Sequence, residues 1–405
     1  MKARFMVEVP LVVINGGSFQ GLKSLVTLVI VRGSSIIKEL EVKTNAFDGM
    51  PSLQTMYNDD HRLCCFFSNL ETCRTIETYS PLFNCGSMMQ NQVLRVFMWV
   101  LGISAVVGNI FVIVLRMKEK TASETQSKQR LFIFHLALSD SLMGVYMIIL
   151  ACADIYYGDE YFKFSDAWRN GIVCRITGFL GLLSSEASVF FISLITIDRF
   201  ICVAFPFGRA RMTLTSSKTA VGFLWCVALV LSAVPVLLAG PDSDFYDLSD
   251  VCIGLPLITR PSSFNFESEG LGGTLNFNLP VSTESKPAWY FSIILFLVVN
   301  LACFVIIFIC YVIMFVRVKT SAQQVGRKES FNDEIKMAIK MAAIVGTDFI
   351  CWFPIILMGL LSQLGAVVIP LDAYVWSVVF ILPINSSLNP YLYTITTLIS
   401  DNKKK

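Results

Sequence analysis

The sequence predicts an all-α membrane protein, a bundle of seven transmembrane helices, preceded by a short repetitive segment of α/β-solenoid type. Three observations carry this expectation. The 405 residues are 55% hydrophobic and only 15% charged, where a soluble chain carries about 25% charged residues. Seven apolar stretches follow one another from residue 93 onward. A short pattern also recurs within the first 60 residues.

A helix needs roughly 20 apolar residues to cross the ~30 Å hydrocarbon core of a bilayer. Residues 96–115 contain no charge, and 131–153 are interrupted only by His135 and Asp140. Residues 171–205 carry Arg175, Glu186, Asp198 and Arg199. Residues 220–239 and 288–316 are uncharged, 341–371 hold the single acid Asp348, and 373–399 hold none. Backbone groups cannot stay unpaired in lipid, so each of these runs is expected to be a helix. Basic residues then set the orientation. Arg116, Lys118, Lys120, Lys128 and Arg130 lie between the first two runs, with Arg209, Arg211 and Lys218 after the third. Arg317, Lys319, Arg327, Lys328, Lys336 and Lys340 follow the fifth. These loops and the C-terminus are expected in the cytoplasm of a multi-pass cell-membrane protein, with the first 92 residues outside.

The repeat is Ser18–Leu28 (SFQGLKSLVTL) followed 28 residues later by 46–56 (AFDGMPSLQTM). Phe, Gly, Ser, Leu and Thr recur identically, and a period of 20 to 29 residues fits leucine-rich repeats. Such units bury their apolar faces only against neighbours, and two are too few to stand alone. Glu8 and Pro10 spoil the opening apolar stretch as a signal peptide. A longer solenoid upstream is therefore expected. The resulting division is 1–60 partial repeats, 61–92 cysteine-rich hinge, 93–400 helical bundle and 401–405 basic stub.

Of the 12 cysteines, Cys64, Cys65, Cys73 and Cys85 fall in the hinge, and Cys174 and Cys252 at the outer ends of helices or loops. Six outside cysteines suit disulfides in an oxidising exterior. Four hinge cysteines allow three pairings, which the sequence leaves open; a zinc site is the alternative use. No enzyme is expected: His61 and His135 are the only histidines, and phosphate-cradling glycine loops are absent. A net charge of +2 gives no reason to expect nucleic acid. The rival class is a transporter or channel, since buried acids also mark ion paths, although transporters usually show related halves.

Five motifs in order then carry a resemblance: Asn109 in the first helix, Asp140 in the second, Asp198-Arg199-Phe200 closing the third, Cys351-Trp352-Phe353-Pro354 in the sixth and Asn389-Pro390-Tyr391-Leu392-Tyr393 in the seventh. Residues 93–400 resemble rhodopsin-like G-protein-coupled receptors, departing at Phe200, where the family usually has Tyr. The repeats, Cys64-Cys65, Phe83-Asn84-Cys85 and Thr347-Asp348 are similar to the leucine-rich-repeat subfamily of glycoprotein-hormone and relaxin receptors. The runs 197–203 and 380–390 favour the relaxin-type branch.

The resemblance implies a receptor for an extracellular peptide or glycoprotein hormone, coupled to a heterotrimeric G protein, the stimulatory one that raises cyclic AMP. It implies that Asp198, Arg199, Phe200, Trp352, Pro354, Asn389, Pro390 and Tyr393 form the activation switch, and that Cys174 bonds Cys252. Asp140, Ser188 and Asn389, with Asn385 and Ser386 nearby, would hold an allosteric sodium ion; no other cofactor is expected. Asp348 is expected to be latched by Asn385 and Asn389, with Glu186 a second buried acid of unassigned partner. Phe83 and Asn84 would act as a tethered agonist. The second outer loop, 240–287, is long for this subfamily, looks disordered, and leaves ligand handling open.

Overall fold

A computed structural model describes residues 3–32, 40–43, 45–67, 70–75, 85–89, 91–120, 123–205, 211–238, 250–253, 265–266, 277–278, 291, 293–322, 345–361, 364 and 376–402. The N-terminal part is built on a four-stranded parallel sheet in the order β1 (Ala3–Val9), β3 (Thr27–Arg32), β5 (Thr55–Asn58), β6 (Thr72–Thr75). A two-residue pair, β2 (Val13–Ile14) with β4 (Glu41–Val42), lies beside it. Thr27 stands opposite Thr55 across β3 and β5, so the sequence repeat is also the register of the ladder. Other repeat positions coincide too. Phe19 and Phe47 stack with ring centroids 5.4 Å apart, and Gly21 (φ +90°) and Gly49 (φ +101°) both occupy the left-handed region that turns the chain toward the next strand. Leu25, Leu28, Ile30, Met56 and Leu63 are fully buried between the turns.

The ladder runs past residue 60. A 3-10 turn at His61–Phe66 leads into β6, which pairs Thr72 with Thr55. The cysteines close this segment in pairs, Cys64 with Cys73 and Cys65 with Cys85. The second pair ties the last strand region directly to the chain entering the bundle.

Eight helices follow among the described residues. They are α1 (Gln92–Lys118), α2 (Glu124–Tyr157), the short amphipathic α3 (Tyr161–Asn170), α4 (Ile172–Ala204), α5 (Leu214–Leu238), α6 (a wide π turn at Ile293–Val299 continuing as Asn300–Ala322), α7 (Val345–Leu361) and α8 (Ser377–Ile381 continuing as Leu382–Asn402). Omitting α3 leaves seven, the number the apolar stretches predict. Five are long and apolar enough to cross a membrane outright, and α7 is a shorter apolar helix. Polar side chains start the first two: Asn91 accepts from the Val93 amide of α1, and Ser123 from the Gln126 amide of α2.

Helix α4 is the axis of the bundle. Of its apolar stretch 78% is buried, against 33% for α1, whose Val96, Val100, Val107 and Phe111 face outward, as a lipid-facing surface requires. Helices α1 and α2 cross closely over glycine. A Cβ on Gly144 would lie 2.7 Å from Val106 Cγ2 and 2.8 Å from both the Gly102 carbonyl oxygen and the Val106 nitrogen. The last two are backbone contacts with no room to yield. Pro390 packs likewise on Gly108, where a Cβ would fall 2.9 Å from Pro390 Cγ. Most of the 240–287 loop lies outside the described residues; within it Asn265–Phe266 pairs antiparallel with Phe277–Asn278.

Gly144→Ala is expected to force α1 and α2 apart and destabilise the bundle by about 1 to 3 kcal/mol, the usual cost of overpacking. Thermal unfolding of purified protein in detergent measures this. A melting temperature equal to that of the parent protein would show that the crossing can relax.

Candidate functional site

The polar residues of the bundle form three groups along its length, one at each end and one in the middle. Asp198 and Arg199 close α4 at one end. Their side chains pair with each other, and both are buried. Lys128 joins them from α2, its Nζ 3.0 Å from Asp198 Oδ1 and 3.0 Å from the Met212 carbonyl oxygen. Sequence reasoning counted Lys128 only as an orienting loop charge. In the structure it is 3% exposed and belongs to this charged cluster. Its one distinguishing signal was its place at the start of an apolar helix, where a lysine can reach inward as easily as outward. Phe200 lies beside them, its ring 6.0 Å from that of Phe205 and packed against Val203 and Met314.

The middle group centres on Asp140 of α2, which is fully buried. Its Oδ1 accepts from the hydroxyls of Ser188 on α4 and Ser386 on α8, each at 3.0 Å, and its Oδ2 accepts from Asn389 Nδ2 at 2.7 Å. A buried carboxylate must be supplied with donors, and here two neighbouring helices supply them. Asn109 of α1 reaches the same helix, donating to the Ser386 carbonyl oxygen at 2.9 Å. Asn385, one turn before Asn389 on α8, donates instead to Asp348 of α7. The latch is therefore narrower than expected. Asp348 is bonded by Asn385, whereas the Nδ2 of Asn389 goes to Asp140. Four residues apart, the two asparagines share one face of α8 and divide the two acids between them.

Glu186 of α4 is fully buried and accepts from Asn300 Nδ2 at 3.3 Å. Asn300 stands at the junction of the wide turn and the regular part of α6, a position the sequence did not mark. Trp352 is buried in α7 with its ring 6.2 Å from Phe304 of α6, and Pro354 follows two residues later in the same helix. Tyr393 continues α8, its side chain outside the described residues. Phe83 and Asn84 also lie outside them.

The oxygens around Asp140 fit a small hard cation, which takes oxygen ligands. Besides the carboxylate and the two hydroxyls, the Oδ1 atoms of Asn389 and Asn109 are buried with no hydrogen-bond partner among the described residues, so acceptor capacity remains at the cluster.

At the other end Cys174 of α4 is bonded to Cys252, with Cα atoms 5.5 Å apart. The chain entering α1 is drawn into this end of the bundle. Met88 and Met89 are almost fully buried in the helical core. Asp154 at the end of α2 accepts from the Met89 amide at 2.9 Å and pairs with Arg95 Nε at 2.6 Å. The sequence reads Met88 and Met89 only as part of a polar segment just outside the first helix and does not mark Asp154, although a carboxylate at the end of an apolar helix is a signal of the kind that led to Asp140.

Lys128→Met is expected to cost about 1.5 to 3 kcal/mol, the contribution of a hydrogen bond to a charged group, because Asp198 keeps Arg199. A double-mutant cycle with Asp198→Asn isolates the pair. A coupling near zero would reduce Lys128 to a packing role.

The sequence pattern of the 7 transmembrane receptor (rhodopsin family) matches residues 108–393. The chain is 35% identical over 351 residues to the G-protein coupled receptor GRL101 of Lymnaea stagnalis, spanning 87% of this chain and 29% of that protein. It is 31% identical to relaxin receptor 2 of Homo sapiens over 354 residues, 87% of this chain and 43% of that one. The chain thus spans less than half the length of these relatives. Squid rhodopsin superposes with a TM-score of 0.52 at 17% identity, covering 78% of this chain and 88% of that one, a likeness of fold. With the pattern covering most of the chain and the five motifs on the helices that the family requires, this chain belongs to the rhodopsin family of seven-transmembrane receptors.

Proposed function

We propose that the protein is a cell-membrane receptor for an extracellular peptide or glycoprotein hormone of the relaxin-like class, with its repeats outside the cell, and that it signals through a heterotrimeric G protein of the stimulatory type. The observation that carries this reading is the pair of buried acid latches at different depths, Asp348 with Asn385 between α7 and α8, and Asp198 with Arg199 and Lys128 at the end of α4. Asp348 takes its donor from the neighbouring helix and the Asp198–Arg199 pair takes Lys128 from α2, so both sets are complete only while those helices stay packed. Outward movement of α7 would break the first, and exposing Arg199 would offer its five donors to a partner. The basic residues between 116 and 130 and between 317 and 340 support a cytoplasmic side for that end. The name of one relative, relaxin receptor 2, supports the hormone class.

The discriminating experiment is guanine-nucleotide exchange on added G protein, run beside ion flux in proteoliposomes. Exchange without flux is the expected result. Flux without exchange would make the protein a transporter or channel, and the absence of both would make it a non-signalling form.

Asp348→Asn preserves shape but removes the charge that Asn385 binds. Loss of a charge-assisted hydrogen bond, about 1.5 to 3 kcal/mol, shifts a two-state equilibrium roughly 10- to 100-fold. Basal cyclic AMP is expected to rise at matched surface expression, and unchanged basal signalling would sink the latch.

The same reading gives Asp140, Ser188, Ser386 and Asn389 a sodium ion that stabilises the inactive packing. At a hundredfold excess over its dissociation constant an ion adds about 2.7 kcal/mol to the state that binds it. The melting temperature is expected to be higher in sodium chloride than in choline chloride at equal ionic strength, and Asp140→Asn is expected to abolish the difference. Equal melting temperatures for the parent protein in both salts would remove the ion.

A further inference from the structure

The solenoid and the bundle meet through a line of buried and half-buried charges. Arg32 Nε on β3 lies 3.1 Å from Asp59 Oδ2, and its Nη2 lies 3.8 Å from Asp60 Oδ2. Asp60 caps the His61–Phe66 turn and binds Arg62 through both carboxylate oxygens, at 2.9 and 2.6 Å. Arg62 Nη1 then crosses to α3, 3.2 Å from Asp166 Oδ2. Asp166 pairs with Arg169 one turn on, and Arg169 Nη1 continues to Asp250 Oδ1 at 3.2 Å. Asp250 also accepts from Tyr161 Oη at 2.8 Å, while its backbone carbonyl accepts from Trp168 Nε1 at 2.8 Å. Two residues later stands Cys252, bonded to Cys174 of the bundle. An apolar contact runs alongside, Phe66 meeting Phe162 edge to face at 5.5 Å.

His61 sits inside this joint. It opens the turn between Asp60 and Arg62 and is 9% exposed. The charged groups facing it come from both sides, Asp60 and Arg62 from the solenoid and Asp166 and Arg169 from α3.

We infer that this contact is an acid-sensitive docking joint, in which protonation of His61 releases the repeats from α3 and hence from the loop tethered by Cys252. Burial pushes the imidazole below its ordinary value of 6.5 and repulsion from Arg169 adds to this, with Asp60 and Asp166 opposing in part. The docked histidine is therefore neutral near pH 7. Undocked and hydrated it would titrate near 6.5, so the undocked form binds the extra proton first. The bias toward docking is complete above that value and is lost as pH falls from there toward the lower docked value. The ratio of docked to undocked molecules falls by at most about tenfold per pH unit over that window. Asp60 does not follow. Burial favours its neutral form, but the hydrogen bond and charge of Arg62 outweigh this and hold its carboxyl below the usual value, so Asp60 stays ionised while the histidine charges.

The test places bio-orthogonal spin labels at the exposed positions Lys23 and Ala167 in the full chain, reconstituted in lipid nanodiscs. A single short distance is expected at pH 7.4, with a longer population growing toward pH 5.5. His61→Gln, which cannot take up the proton, is expected to stay docked at both. An unchanged distance distribution in the parent protein overturns the inference. So does equal opening in His61→Gln, or an opening midpoint near the carboxylate value of about 4, either of which assigns the change to the acids. The midpoint is read on the parent protein alone, so the outcome holds even if the variant misfolds.

Discussion

The need to satisfy Asp140 organises the bundle. An ionisable group at mid-membrane costs roughly 2.5 to 3.5 kcal/mol on insertion scales, and this one is buried with no exposure at all. Its two oxygens take hydrogen bonds from α4 and α8 while it rides on α2. Because apolar side chains gain little by leaving lipid for one another, interhelical hydrogen bonds and close backbone approach must define the packing. The glycine crossing of α1 over α2 and the seat of Pro390 on Gly108 supply the close approach. Asn109, bonded to the Ser386 carbonyl oxygen, joins the two devices.

That arrangement explains why one face of α8 carries so much of the chemistry. Asn385 and Asn389 lie four residues apart, so they point the same way but at different depths. One binds the acid of α7 and the other the acid of α2. Any rotation or withdrawal of α8 strains both bonds together, which couples the depth of Asp140 to the position of α7. Toward the Arg199 end a second, smaller set made by Asp198, Arg199 and Lys128 ties α4 to α2. The helices are thus held by a few charged contacts within an otherwise apolar packing, which suits a two-state device better than a uniformly interlocked core would.

The solenoid obeys different physics. Its stability comes from repetition: Phe19 stacks on Phe47, and the strands pair in the register of the sequence repeat. Two disulfides close its last turns, and the second fixes the chain just ahead of Met88 and Met89, which enter the helical core. Among the described residues the two parts are joined by covalent links, a buried methionine pair, the Phe66–Phe162 contact and a line of ion pairs.

The sequence by itself determined the class, the seven apolar runs, the 28-residue ladder period and the lone acids within those runs, because all of these are one-dimensional signals. Lipid demands apolar runs of a set length, a solenoid writes its geometry as a period, and a lone charge in such a run stands out. Tertiary structure decided the pairings. Whether Asn389 served Asp348 or Asp140 depended on how α8 is rotated against α7 and α2. The partner of Glu186 depended on where the wide turn of α6 ends, and the choice among three hinge disulfide pairings depended on β6 joining the sheet. Lys128 was read as a loop charge until the length of α2 carried it inward to Asp198. The line from Arg32 to Asp250 was invisible for the same reason: its members are ordinary polar residues, spread over more than 200 positions, and only folding brings them within hydrogen-bonding range.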